Sequence, residues 1–327
     1  MKKPYHFLIL IISILLYSCN AAVESPYDDV VLEQKSGLPD GGLSSAVSFV
    51  IDGKAYVMLG RNSSNGLNNA CFEYSPENNT WKKNADFPGE GRVNAFAAVV
   101  NHRAYVGLGF TLGAGIYQQS SYLKDFWCYN PADSSWAKMA DYPSTSTDKP
   151  IVFVVNDEIF VGFGFNGFYF TNEMWKYNTT TNTWTELDHA PIANRATGVL
   201  ATDGSSVFFG TGYDTNNLND WWQYYPDTQT WEKRKAMPDN GRINALAFSV
   251  ENRFFVATGR YFGGSLTGGH LKNDIMEYDT EKDVWYFRGS LKDVRENAVS
   301  FVIDGKAYIG FGENDSTVLN DLWCFKP

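Results

Sequence analysis

Short runs of apolar and β-branched residues, four to six long, recur along the chain and are broken at each end by turn-forming residues. This is the pattern of many short strands. Ser48-Phe49-Val50-Ile51 breaks at Asp52-Gly53 and resumes as Lys54-Ala55-Tyr56-Val57-Met58, and Phe301-Val302-Ile303 breaks at Asp304-Gly305 and resumes as Lys306-Ala307-Tyr308-Ile309. Asp-Gly between two such runs predicts a tight hairpin. A second hairpin follows: Tyr74, Tyr129, Tyr177, Tyr224 and Tyr278 each precede a tryptophan by seven residues, Trp81, Trp136, Trp184, Trp231 and Trp285. Turn formers such as Ser75-Pro76-Glu77-Asn78-Asn79 lie between them. Each copy therefore predicts four strands, here lettered a to d.

The tryptophans step by 55, 48, 47 and 54 residues, and Pro88, Pro143, Pro191 and Pro238 follow four of them at a further seven; the fifth copy has Lys292 instead. A repeat near 50 residues with four strands per copy resembles the kelch family of β-propellers. One departure marks a divergent subfamily. Kelch repeats usually end strand b on adjacent glycines, whereas here the pairs are Gly107 and Gly109, Gly162 and Gly164, Gly210 and Gly212, and Gly310 and Gly312. Leu108, Phe163, Thr211 and Phe311 stand between them.

A sixth copy begins near Arg295, but the chain ends at Pro327 before its strand d. Val30-Val31-Leu32-Glu33 precedes Pro39 by the tryptophan-to-proline spacing, counted from Leu32. The expectation is an all-β, six-bladed propeller over residues 27–327, its ring closed by this N-terminal strand so that no sheet edge is left open.

Before it, Lys2 and Lys3 precede an apolar run from Phe7 to Tyr17, too short to span a bilayer, and Leu16-Tyr17-Ser18-Cys19 resembles a bacterial lipobox. The resemblance implies a signal peptide over 1–18, lipidation of Cys19, a tether over 19–26 and an outer-membrane lipoprotein held to the membrane only by that anchor. Cys71, Cys128 and Cys324 are odd in number and widely spaced, so no disulfide framework is expected. With four histidines far apart and no HExxH or CxxC, neither a metal site nor another cofactor is expected. A formal charge of -10 argues against a nucleic-acid partner. Nothing calls for more than a monomer.

Function must come from a site, because propellers host unrelated chemistries. The resemblance to kelch propellers implies that the d-to-a and b-to-c connections share one face around the central channel, and the a-to-b and c-to-d turns share the other. The b-to-c loops vary most and carry Tyr117, Tyr122, Phe168, Tyr169, Tyr213, Tyr261 and Phe262, candidate stacking surfaces. At the start of strand a, Gly91-Arg92-Val93-Asn94 and Gly241-Arg242-Ile243-Asn244 are near copies, Arg295-Glu296-Asn297 follows the pattern, and Lys149 and Arg195 stand nearby in the other central blades. These cations either crowd the channel mouth to receive an anionic ligand or pair with neighbouring acids such as Glu90, Asp239 and Asp293. The asparagine beside each arginine favours the ligand. A second ring, Asp125, Glu173, Asp220, Asp274 and Asp321, interrupted by Ala70, is expected to cap turns. The reading that follows is an envelope protein binding a glycan or a protein at this face. The alternative is a sugar-acid epimerase or mutarotase, since bacterial sialic acid epimerases look like six-bladed kelch propellers; Arg295 and Glu296, the latter as base, would be its catalytic candidates. A galactose oxidase-like copper enzyme is disfavoured by the lack of a second domain and of histidines.

Overall fold

The computed structural model describes residues 25–112, 121–145, 147–264 and 268–327. Every regular element among them is a strand, arranged as six antiparallel four-stranded sheets. In blade one, strands a to d are Val47–Ile51, Lys54–Met58, Cys71–Ser75 and Thr80–Lys83. Strand a alternates buried and half-buried residues, strand b is buried from Ala55 onward, and strand d is mostly exposed. Burial is thus greatest in the two middle strands and least at the rim. The six a strands neighbour one another around that axis, and short extra hairpins decorate the b-to-c loops of blades two and five.

The ring closes as the spacing requires. Glu33–Lys35 is strand d of blade six, paired antiparallel with Leu322–Phe325, Glu33 opposite Cys324. Val30 and Leu32 pack against the core between blades five and six, and the Tyr27 ring lies over the guanidinium groups of Arg253 and Arg288.

The core lies between blades, and the Tyr-Trp repeat builds it. Tyr and Trp of each copy are direct cross-strand neighbours on c and d, with ring centroids 4.7–5.0 Å apart. The tyrosine then reaches into the preceding blade, as Tyr129 does edge-on to Tyr56 at 5.8 Å. The indole of Trp184 donates to the Ala140 carbonyl of the preceding blade, and that of Trp285 to Lys235. Each such aromatic pair adds about 0.5–1.5 kcal/mol beyond its buried area. Cys71, Cys128 and Cys324 are free and buried in these interfaces.

Candidate functional site

The arginines are not at the channel mouth. Arg92, Arg195 and Arg295 are wholly buried and Arg242 nearly so, each gripping a carboxylate of the second ring: Arg92 with Asp125 at 2.6 and 2.8 Å, Arg195 with Asp220, Arg242 with Asp274 and Arg295 with Asp321. The same guanidinium donates to the carbonyl just before the second glycine position, Leu108, Thr211, Thr258 and Phe311 in turn; blade five has Ala257 in place of the first glycine. Those four residues have φ of 57–60°, a left-handed conformation that costs a non-glycine residue on the order of 1–2 kcal/mol. Leu59 and Phe163 adopt the same bend, at φ of 62° and 60°, in the two blades that lack the arginine, so the bend belongs to every blade and the clasp braces it in four of them.

The expectation of a ligand-binding arginine ring is corrected accordingly, as is that of simple turn caps for the acids. Only Arg242 also bonds the expected acid side chain, Asp239; Arg92 and Arg295 reach the backbone carbonyls of Glu90 and Asp293. Burial opposes ionisation of Asp125 and Asp321, yet the hydrogen bonds and charge of Arg92 and Arg295, with the Trp127 and Trp323 indoles, outweigh it and hold both carboxyls below the usual range. A signal for this pairing stands in the sequence. Blade one, which has Leu43 at the arginine position, is also the blade with Ala70 in place of the acid; blade three has Thr147 there but keeps Glu173, which Ser144 bonds instead.

The asparagines do line the channel, two residues beyond the arginines. Ser45, Asn94, Lys149, Thr197, Asn244 and Asn297, one from each blade, surround a cavity of about 170 Å³. All six have φ of 53–59°, and the backbone joins neighbours directly: Asn94 donates to Ser45, Ser45 to Asn297 and Asn297 to Asn244. Lys149 thus occupies the asparagine position, not the arginine one; Thr147 stands where blade three would have arginine.

From blade three the Lys149 ammonium reaches across to accepting amide oxygens on blades five and six, Asn244 Oδ1 and Asn297 Oδ1 at 3.1 Å. The amide nitrogens pass the polarity outward, Asn244 to Glu296 at 2.6 Å and Asn297 to Glu313 at 3.0 Å. Arg260 holds Glu296 at 2.8 Å, and Arg61 pairs with Glu313. Burial pushes the Lys149 pKa down, against the charges of Asp148, Glu296 and Glu313. It likewise pushes Asp148 up, with Lys149 and Asn94 opposing. Glu296 and Arg295, adjacent in sequence, face apart: Glu296 looks to the channel mouth and Arg295 into the clasp with Asp321.

Around the other side of the mouth the b-to-c loops form a chain of ring contacts through blades two to five. Phe110 meets Tyr122 at 4.9 Å, Tyr122 meets Phe165, Phe165 meets Phe170 at 5.1 Å, Phe170 meets Tyr213 and Tyr213 meets Phe262 at 5.5 Å. Phe110, Phe165 and Phe170 were not anticipated from sequence. Phe168 and Tyr169 project from this arc, 92% and 52% exposed, and Tyr261 stacks on His270. Tyr117 and Cys19 lie outside the described residues, as do the segments read as signal peptide and most of the tether. Among the described residues no group of histidine, cysteine or carboxylate side chains could hold a metal ion.

No curated protein matches the sequence. Among solved structures, one titled "Structure of YjhT" shares the fold with a TM-score of 0.78 at 18% identity, over 89% of this chain and 96% of its own. The KLHDC2/KLHL20/DRC7 Kelch-repeats domain matches residues 50–259. The chain belongs to the kelch-repeat family.

Proposed function

We propose that this is a cell-envelope lipoprotein, anchored through Cys19, whose channel mouth binds a glycan carrying an acidic group. The observation that carries the reading is Lys149, a cation held at the axis by two amide oxygens rather than by a carboxylate. A cavity of about 170 Å³ is smaller than the roughly 300 Å³ at which whole small-molecule sites begin. It takes one end of a ligand, such as a carboxylate, with Asn94 and Ser45 as further polar partners. The aromatic arc then offers ring faces to the rest, the usual way a sugar's apolar face is held. Tyr169, Tyr213 and Phe262 are the residues placed for this contact.

The test is a glycan array followed by titration of the hits. Lys149→Met is expected to weaken binding of a uronic or sialic acid by about tenfold or more, the scale of a lost charge-assisted hydrogen bond. Because the ammonium must be protonated to attract the anion, affinity falls as pH rises through the Lys149 pKa, which burial places below that of an ordinary lysine. No acidic glycan bound, or binding indifferent to Lys149→Met, overturns the reading.

A second reading, sugar-acid epimerisation, is favoured by one observation. Glu296 stands beside the mouth, its carboxylate oriented by Arg260 and Asn244. Arg260 then takes the place of Arg295 as its basic partner. Exchange of sugar anomers or epimers followed by NMR, lost in Glu296→Gln, distinguishes this from binding alone.

A further inference from the structure

On the face opposite the mouth, the residue five beyond each repeat tyrosine decides whether the gap between blades is closed. Asn79, Asn182 and Asp283 accept from the hydroxyls of Tyr74, Tyr177 and Tyr278 at 2.6–2.9 Å. Their carbonyl or carboxylate oxygens also accept from a backbone N–H of the preceding blade, at Ser36, Ala140 and Lys235. Each is a bolt between two blades. Blade two has Ser134 at this position and blade four Gln229. A cavity of about 50 Å³ adjoins Gln229, and one of about 410 Å³ opens beside Ser134 between blades one and two.

The serine is too short to serve as the bolt. The Tyr129 hydroxyl, fully buried, is left with no hydrogen-bond partner, Ser134 and Asn84 on the cleft wall being its polar neighbours. Two acids line the cleft and both are committed. Asp52 pairs with His102 at 2.6 Å, and Glu73, largely buried, accepts from Lys54 at 2.8 Å and Asn84 at 2.9 Å. Lys82 and Arg103 also line it; Lys82 stands opposite Glu73 across the strand pair and its charge helps hold that carboxyl ionised, but neither cation forms a salt bridge within 4 Å among the described residues. In a chain of formal charge -10 this is a local excess of positive charge. The volume lies within the roughly 300–1,000 Å³ of small-molecule sites.

We propose that the cleft between blades one and two is a second binding site, for a small anion whose carboxylate or phosphate oxygens are held by Lys82 and Arg103 and whose body fills the space that the missing bolt leaves beside Tyr129. It is independent of the channel mouth, which opens on the other face.

Two probes, inorganic phosphate and D-glucuronate, are titrated separately into the full chain and followed by NMR at the His102 ring. Because a uronic acid is also expected at the channel mouth, it is a saturable shift of the His102 ring, which lines only the cleft, that supports the site with either probe, and which one produces it tells phosphate chemistry from carboxylate chemistry. The Lys82→Ala/Arg103→Ala double variant is expected to weaken it by about tenfold or more, and Lys149→Met to leave it unchanged. Ser134→Asn restores the repeat residue at a φ of 56°, which asparagine tolerates. It should abolish binding while keeping or raising the melting temperature, so that loss of binding is not loss of fold. Failure of both probes to bind, or binding that survives both the double variant and Ser134→Asn, overturns the proposal.

Discussion

The four buried arginines show what a local motif leaves undecided. Gly-Arg-x-Asn-Ala is visible in the sequence as a repeat, but which of its two polar side chains faces the channel depends on the bend at the start of strand a. The asparagine takes the left-handed position on the axis, and the arginine two residues earlier is thereby turned into the blade. Removing it has a defined cost. Arg92→Ala strands Asp125, and is expected to lower stability by about 2–4 kcal/mol, somewhat under the full penalty for a wholly buried partner, because Asp125 keeps 20% of its side chain exposed. Chemical denaturation measures this. The pH dependence follows from the direction of the shift. Asp125 and Asp321 titrate lower in the folded chain than unfolded, so their contribution is complete above the unfolded value near 4 and disappears as pH falls through the folded one. The melting temperature should therefore drop on acidification below about pH 4, and Arg92→Ala should flatten that drop. A steep acid dependence unchanged in the variant would sink the assignment.

At the level of strands, periodicity was sufficient for the blades and insufficient for the loops. The Tyr-Trp spacing is a cross-strand pairing seen end-on, so seven residues and a turn specify one hairpin wherever they occur. Strand d of blade six carries no such aromatic pair, and it was legible only from the interval between Leu32 and Pro39. The aromatic arc had no comparable signal. Phe165 and Phe170 come together because the loop folds back on itself, with Phe165 bridged to both Asp148 and Phe170, and nothing periodic announces a fold-back. Deleting residues 27–39 removes the pairing of Glu33–Lys35 with Leu322–Phe325 and the packing of Val30 and Leu32. By apolar burial alone it should cost several kcal/mol, at about 1.5–3 kcal/mol for each large side chain exposed. An unchanged melting temperature in that variant would contradict closure by this strand.

For the molecule as a whole, the point where the chain enters the propeller has a geometric consequence. Tyr27 lies five residues before Leu32, as Pro76 lies five before Trp81, so it stands at the level of the c-to-d turns, on the face away from the mouth. If the proposed anchor at Cys19 holds the chain, a tether entering there would present the mouth outward and hold the cleft between blades one and two toward the membrane. The anchor is tested by Cys19→Ser, which should move the protein from the membrane fraction to the soluble one; detergent dependence that persists in the variant would rule it out.

The closing strand also orders the folding reaction in time. Glu33 finds Cys324 only when the last residues of the chain exist, so five sheets have all their strands while the sixth waits for a partner at the far end of the sequence. The entropy of closing that long loop rises only as about (3/2)RT ln n, but contacts of such separation form slowly. Until they do, Val30, Leu32 and the unpaired edge of Leu322–Phe325 are open to another copy of the same chain. Refolding yield should then fall with protein concentration, a vulnerability set by the order of strands rather than by the strength of any contact.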